Sequence, residues 1–423
     1  MDLLSSKTGE LRRTAPSRRI NELLSPSRLY CNMQTPFTPL SLYIHIPFCT
    51  TKCTYCAFNT YIQMEDLIPA FLEALAREIA GVGAGANKAR AHTIFFGGGT
   101  PSLLLPDQIA DVVQAAGAAF DVDADAEVTI EANPNDLTLA YLKMLRAAGV
   151  NRLSIGMQSA NPAELRLFDR RHDVAAVAES VEAARKAGFD NLSLDLIYGV
   201  PDQTLATWRT SLDFALNLQP EHLSLYALSL EAGTPLRAGV ETGHVPAPDD
   251  DLAADMYELA SEMLGAAGYE QYEISNWARP GFQSRHNLQY WLNEPYLGFG
   301  PGAHGFAGGV RYSNVLSPQR YVHSLSSPSG EGFDYPVSPA VAEAVHVEQA
   351  QEISETLIMG MRLIGRGIDR QAFRSRFGVD LLDLHGEALL KFERLGLVAV
   401  SDERVMLTER GRLLSNTVLR EFV

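Results

Sequence analysis

The chain has 423 residues, of which 46% are hydrophobic and 20% charged, and its formal net charge is −16. A single hydrophobic core rarely grows past about 250–300 residues, so two or three domains are expected. The acidic balance repels phosphate backbones and argues against nucleic acid as a main partner. No stretch approaches the roughly 18 apolar residues of a membrane-spanning helix, and the polar N-terminus lacks an apolar signal core, so a cytoplasmic protein is expected.

Residues 1–38 are rich in Ser, Pro, Thr and Arg, with Arg12, Arg13, Arg18, Arg19 and Arg28 but no apolar periodicity. They read as a disordered tail, with an Arg-rich address signal as the alternative. Cys31 in this tail reads as an ordinary thiol. From 39 to 235 short β-rich runs alternate with longer helical ones. The expected strands are Leu42–Ile46, Thr93–Phe96, Glu127–Glu131, Arg152–Ile155, Asn191–Ile197 and His222–Leu228. Helical segments such as Leu67–Ala80, Asp107–Phe120 and Val174–Ala187 lie between them, and Gly149 and Gly188 suit helix C-termini. This alternation calls for parallel strands with right-handed crossovers. Six such units make an α/β fold, an open partial (β/α)6 TIM-like barrel.

Residues 236–335 lose the rhythm, with one helix near Asp250–Ala267 and then a Gly- and aromatic-rich extension. Residues 336–423 change again. Helices near Ala342–Ile364, Arg370–Phe377 and Leu381–Leu395 precede a small hairpin, Gly396–Val400 and Val405–Thr408, in a winged-helix-like order. Asp383, Glu387 and Glu393 alternate with Arg374, Arg376 and Lys391. No basic face emerges, which favours packing or interaction over DNA binding.

The strongest local signal is Cys49-Thr-Thr-Lys-Cys53-Thr-Tyr-Cys56. Thiols crowded in this way suit a metal better than a disulfide framework. A closed structural zinc site wants four ligands, and no fourth Cys or His follows nearby. Three thiolates hold three irons of a [4Fe-4S] cubane and leave the fourth open. S-adenosylmethionine can chelate that iron through its amino and carboxylate groups, and one electron then cleaves its sulfonium. The alternative is a zinc knuckle or a chance grouping of thiols.

The run Tyr43–Cys49 through Cys56-Ala-Phe58 resembles the radical S-adenosylmethionine family that contains oxygen-independent coproporphyrinogen III oxidase and the HemW-type heme chaperones. The resemblance continues through Gly97-Gly-Gly-Thr-Pro101, Glu131-Ala-Asn-Pro134, Ser154-Ile-Gly-Met-Gln158 and Asp195–Pro201. It implies that Cys49, Cys53 and Cys56 hold the cluster. It also implies that Tyr43, Tyr55, Gly98, Gly99, Thr100, Glu131, Gln158, Arg170 and Asp195 match the S-adenosylmethionine positions. The glycines leave room for close approach of the ligand, though a plain tight turn also explains them. Glu131 offers a hydrogen-bond acceptor, or is a solvated strand-end carboxylate. Arg170 offers a fork for a carboxylate, with Arg171 an alternative one position on. Asp195, in an apolar run, needs a partner.

Within the family, the oxidases resemble C-x-x-x-C-x-x-C-x-C, and here the last position is Phe58. The stretch His286-Asn-Leu-Gln-Tyr-Trp291 resembles the H-N-x-x-Y-W motif of the heme chaperones. By that resemblance His286 is a heme ligand, with Tyr290 and Trp291 as flat apolar faces. By residue type alone it is a hydrogen-bonded packing residue. His304 in Gly-Ala-His-Gly is a second candidate, or a turn histidine. The resemblance therefore implies a heme chaperone carrying a [4Fe-4S] cluster and S-adenosylmethionine. Its partners would be heme, a heme-acceptor protein that is soluble or membrane-associated, and an electron donor. The alternative is the oxidase, which decarboxylates a porphyrinogen propionate by a radical route.

Overall fold

The computed structural model describes residues 39–326 and 333–422. The tail and Cys31 lie outside them. Six strands, β1 (Leu40–Ile46), β2 (Arg90–Gly98), β3 (Asp121–Ala132), β4 (Arg152–Gln158), β5 (Leu192–Tyr198) and β6 (His222–Ala227), lie side by side in chain order, each parallel to the next. All six expected strands are present. β3 is longer than expected because its first residues also pair with the start of β2, Arg90 opposite Asp121.

Side chains alternate along each strand. Leu42, Ile44, Ile94, Phe96, Ile130, Leu153, Ile155, Leu194, Leu196, Leu223 and Leu225 point outward and are buried. They form one core under helices that include Ile68–Gly85, Pro106–Ala119, Val174–Lys186 and Leu205–Asn217. The inward positions are mostly polar: Ser41, Thr93, Glu127, Thr129, Glu131, Arg152, Ser154, Ser193, Asp195, His222 and Ser224. A parallel sheet covered on both faces usually reads as unbroken apolar runs. The alternation here marks a sheet curled around a polar lumen.

The extension supplies further strands at both edges. β7 (Glu270–Glu273) and β8 (Asn276–Ala278) add antiparallel to β6. On the other edge β9 (Tyr296–Phe299) runs parallel to β1, followed by antiparallel β10 (His304–Ala307), β11 (Val310–Asn314) and β12 (Val341–His346). The resulting twelve-stranded sheet does not close on itself. Residues 341–346 correct one expectation. They are the strand β12 rather than the start of a long helix, and the helix runs only over Gln349–Gly360. Ala and Glu favour helix locally, but β11 offers an unpaired edge, and pairing along it outweighs propensity.

The C-terminal helices Gln349–Gly360, Arg370–Phe377 and Leu381–Arg394 pack with a three-stranded antiparallel sheet, β13 (Ile368–Asp369), β14 (Val398–Val400) and β15 (Arg404–Leu407), in a winged-helix-like arrangement. Their core is separate and includes Ile353, Leu357, Phe373, Leu389, Val405 and Phe422. Arg376 joins this module to the extension by donating to Glu352 at 2.7 Å and to the Asn293 carbonyl at 2.7 Å. Among the described residues no helix is long and apolar enough to cross a membrane.

One buried carboxylate ties the extension to the barrel. Glu78, on the Ile68–Gly85 helix, accepts from Tyr321 Oη (2.6 Å), Ser338 Oγ (2.7 Å), Gly300 N (2.9 Å) and Asn314 Nδ2 (2.9 Å). Burial raises its pKa while these donors oppose the rise. Each buried donor left unmatched costs roughly 1–3 kcal/mol. Glu78→Ala is therefore expected to lower the unfolding free energy by at least about 3 kcal/mol in urea titration. A midpoint equal to wild type would refute the account.

Candidate functional site

The three clustered cysteines sit on the loop that follows β1, at the C-terminal rim where barrel sites are built. Backbone bonds close that loop: Cys49 N to Tyr61 O (2.9 Å), Tyr61 N to Pro47 O (2.7 Å) and Cys56 N to Cys53 O (3.2 Å). Thr54 fastens it to the next wall, with its N on Phe168 O (3.2 Å) and its hydroxyl on Leu167 O (2.7 Å). Among the described residues no three His, Cys, Asp or Glu side chains converge on one ion position. Three thiols carried on one loop suit three corners of a cubane. Burial raises the Cys49 thiol and pushes Cys56 up to about 11, so metal binding there releases protons. Thr100 Oγ1 donates to Cys49 Sγ at 3.4 Å, and Arg170 Nη1 reaches Cys53 Sγ at 3.5 Å. The donor set therefore fits an iron–sulfur cluster with one iron left open.

The glycine turn after β2 packs directly against this loop. Gly99 N donates to Ile46 O (2.8 Å) and Thr100 N to Phe48 O (2.8 Å). A side chain at Gly99 would stand 2.6 Å from Phe48 O and 2.8 Å from Ile46 O. At Gly98, with φ of +107°, it would run into the His45 ring. The absent side chains at Gly98 and Gly99 thus make room for the chain's own cluster loop and the His45 ring.

The remaining matched positions gather around the lumen. Tyr43 stacks on Phe95 at 6.2 Å, and its hydroxyl lies 3.1 Å from His45 Nδ1. Tyr55 packs edge-on against Phe168 at 4.8 Å. Glu131 accepts from Gly98 N at 3.1 Å. Burial and the neighbouring Asp195 push its carboxyl up to about 7. Asp195 is itself raised by burial, against hydrogen bonds from Ser224, Ser154 (3.0 Å) and Ser193 (3.3 Å). Gln158 ends β4 in the left-handed region, φ +63°, with its amide beside Gly156 and near the Arg170 guanidinium. The two neighbouring arginines point in different directions. Arg170 turns inward, with Nη2 on Gly156 O at 2.9 Å. Arg171 turns to Asp136 at 3.1 Å.

His286 lies in the core as a hydrogen-bonded packing residue. It is 1% exposed, on the short helix Arg285–Trp291 that plugs the lumen floor. Glu127, pointing inward from β3, accepts from Arg285 N and His286 N, both at 3.0 Å, and so caps this helix. The ring stacks on Phe95 at 4.9 Å. Its Nδ1 lies 2.7 Å from Thr93 Oγ1, which spends its own hydrogen on Ser41 Oγ (2.7 Å), so Nδ1 donates. Nε2 then accepts from Tyr290 Oη at 2.9 Å. Burial, with His92 and Arg152 nearby, pushes its pKa down to about 3. Both nitrogens are engaged, and Trp291 lies under the Arg362 guanidinium (5.9 Å) rather than on an open face. The motif therefore packs as a plug in the lumen floor.

Two lumen residues escaped the sequence reading. Arg152 is 2% exposed, and its Nε is buried without a partner. Its charge opposes the rise in both Glu131 and Asp195. Tyr226, on the inward face at the end of β6, keeps 43% of its surface exposed and marks the lumen as open at the mouth. The signal for both was the two-residue alternation of Arg152-Leu-Ser154 and Ser224-Leu-Tyr226.

Residues 43–215 match the radical SAM superfamily and residues 347–414 match the HemN C-terminal domain. The chain is 38% identical to "Heme chaperone HemW" of Bacillus subtilis, over 90% of this chain and 99% of that one. It is also 38% identical to "Heme chaperone HemW" of Mycobacterium tuberculosis, over 91% and 95%. The solved structure of coproporphyrinogen III oxidase (HemN) from Escherichia coli superposes with a TM-score of 0.78 at 25% identity, covering 92% of this chain and 91% of that one.

The raised carboxyl has a measurable consequence. Between about pH 4.5 and 7 the folded chain holds a proton on Glu131 that the unfolded chain has released. The contribution of this group to stability therefore falls as pH rises through that window. Glu131→Gln removes the titration. Urea unfolding of the apoprotein at about pH 5 and about pH 7.5 is expected to show a shallower decline for the variant. An unchanged decline would assign the proton elsewhere.

Proposed function

The chain belongs to the HemW family of the radical S-adenosylmethionine superfamily, and on that premise we propose that it is a cytoplasmic heme chaperone that holds heme and passes it to an acceptor protein. The observation that carries the cofactor part is the convergence at one rim of Cys49, Cys53 and Cys56, the Gly97–Gly99 turn, Glu131, Asp195 and Arg170. The three thiolates would hold three irons of a [4Fe-4S] cluster. A bound cluster with an open fourth iron supplies one-electron reducing chemistry at the sulfonium of S-adenosylmethionine.

The chain's own groups would do the rest. Thr100 and Arg170 donate toward the cluster sulfurs and stabilise their negative charge. Glu131 and Asp195 present acceptors for the hydroxyls and amino group of S-adenosylmethionine, and Gln158 and Tyr55 line its approach. A cationic ligand beside Glu131 favours the charged carboxylate and lowers the pKa that burial has raised.

A second reading is an oxygen-independent coproporphyrinogen oxidase, favoured by the extent of the fold shared with HemN. Phe58 stands where that reading wants another cysteine.

Two measurements separate these readings. Anaerobically reconstituted wild-type protein is expected to carry iron and sulfide in equal amounts with cubane absorption, and Cys53→Ala is expected to lose most of both. Zinc alone in the wild type would remove the cluster. Incubated with coproporphyrinogen III, S-adenosylmethionine and a reductant, the protein is expected to yield no decarboxylated product at catalytic rates. It is expected to pass bound heme to an apo-heme protein. Catalytic product formation would favour the oxidase.

A further inference from the structure

A buried hydrogen-bonded chain runs through the lumen wall behind Asp195. Ser193 stands two residues before Asp195 on the same inward face of β5, and it donates from Oγ to the carboxylate at 3.3 Å. His222 lies directly opposite Ser193 on β6, with Nδ1 2.8 Å from that Oγ. On its other side, His222 Nε2 lies 2.8 Å from Tyr272 Oη of β7. Ser193 and His222 are wholly buried and Tyr272 nearly so.

The chain has a direction. Burial, with the Arg152 guanidinium nearby, holds the His222 pKa well below the usual imidazole range. The ring is therefore neutral, with one N–H and one lone pair. Ser193 has a single hydrogen to give, and a carboxylate is a stronger acceptor than an imidazole or a hydroxyl. That hydrogen goes to Asp195, although Ser224 Oγ also stands 3.4 Å away. Nδ1 must then carry the ring proton and donate to Ser193, and Nε2 accepts from the Tyr272 hydroxyl. Tyr272, His222 and Ser193 thus all donate the same way, and the run ends on the Asp195 carboxylate. Aligned hydrogen bonds polarise one another, and a carboxylate at the end of such a run is both aimed and favoured in its charged form.

Both ends are anchored. Strands β5 and β6 pair without a break from Ser193 to Tyr198. Tyr272 O accepts from Ile364 N at 2.9 Å, and Glu273 bridges to Leu363, so the C-terminal module holds β7 in place. Packing alone does not require this arrangement, because apolar side chains of the same shape would fill these positions with little or no loss of stability.

We propose, on the reading that the lumen binds S-adenosylmethionine, that His222 is a positioning residue for that ligand: through Nδ1–H and the Ser193 hydroxyl it keeps the Asp195 carboxylate aimed at the ligand's donors. The imidazole itself touches no ligand. Cutting the chain at His222 frees the Ser193 hydroxyl to turn toward Ser224 and leaves Asp195 with a weaker hold on one side.

The test measures S-adenosylmethionine affinity by anaerobic calorimetry on the full-length, cluster-reconstituted protein. Ser193→Ala removes one hydroxyl and is expected to weaken binding about tenfold. His222→Gln is expected to show a comparable loss. Combined with Ser193→Ala it is expected to add nothing, because the link between it and Asp195 is already cut. His222→Asn keeps an amide donor near the place of Nδ1 and is expected to retain wild-type affinity. A purely structural role for the ring would weaken the Gln and Asn variants alike, or would add its full factor on top of Ser193→Ala, and either result overturns the proposal. Where His222→Gln fails to fold or to hold iron, the other two variants decide. Wild-type affinity in Ser193→Ala, or a loss in folded His222→Asn as large as in Ser193→Ala, overturns the assignment while leaving the ligand site intact. Wild-type protein that holds its cluster yet binds no S-adenosylmethionine overturns the underlying reading instead.

Discussion

Alternation of side chains across six parallel strands is the constraint on which the rest of this molecule depends. One face of each strand is apolar and is sealed beneath helices. The other carries serines, threonines, carboxylates and an arginine that gain nothing from burial in hydrocarbon. A sheet with such faces must curl so that its polar side encloses a lumen, and parallel strands then bring all their C-terminal ends to one rim. The thiols, the glycine turn and the two buried carboxylates share a site because each stands at, or a few residues before, such an end.

The rim is built largely from the chain's own backbone. Cluster loop and glycine turn are bonded to each other, so neither adopts its shape alone. Side chains are absent at Gly98 and Gly99 because His45, Ile46 and Phe48 occupy that space. Two carboxylates at the centre of the lumen repel one another, and burial makes the charged form of each costly. Arg152 below them and the hydroxyls around Asp195 offset only part of that cost. A site left in this electrostatic state favours a positively charged ligand.

The floor is closed by a different device. A seven-residue helix is held by the Glu127 carboxylate at its N-terminus, by Gln289 on Pro39 O and Pro295 O, and by Arg376 from the C-terminal module just beyond its end. His286, Tyr290 and Trp291 thus link barrel, extension and C-terminal module. Packing at that junction is a role these side chains have in the fold itself.

Much of the architecture was legible in the order of residues. The six strands, the crossover helices and the C-terminal helices with their hairpin follow from local periodicity, and the C-x-x-x-C-x-x-C spacing places three thiols on one loop. Local pattern determines these features because each depends on neighbours within a few positions. The strand at Val341–His346 did not follow, since its partner β11 is some thirty residues away and propensity alone favours helix. Nor did the fates of the histidines. Whether an imidazole is sealed in a floor, as His286 is, or lies at the surface on a strand, as His304 does, depends on strand register and on which helix covers which half of the sheet. Those are contacts between segments far apart in the chain, and only the tertiary structure decides them.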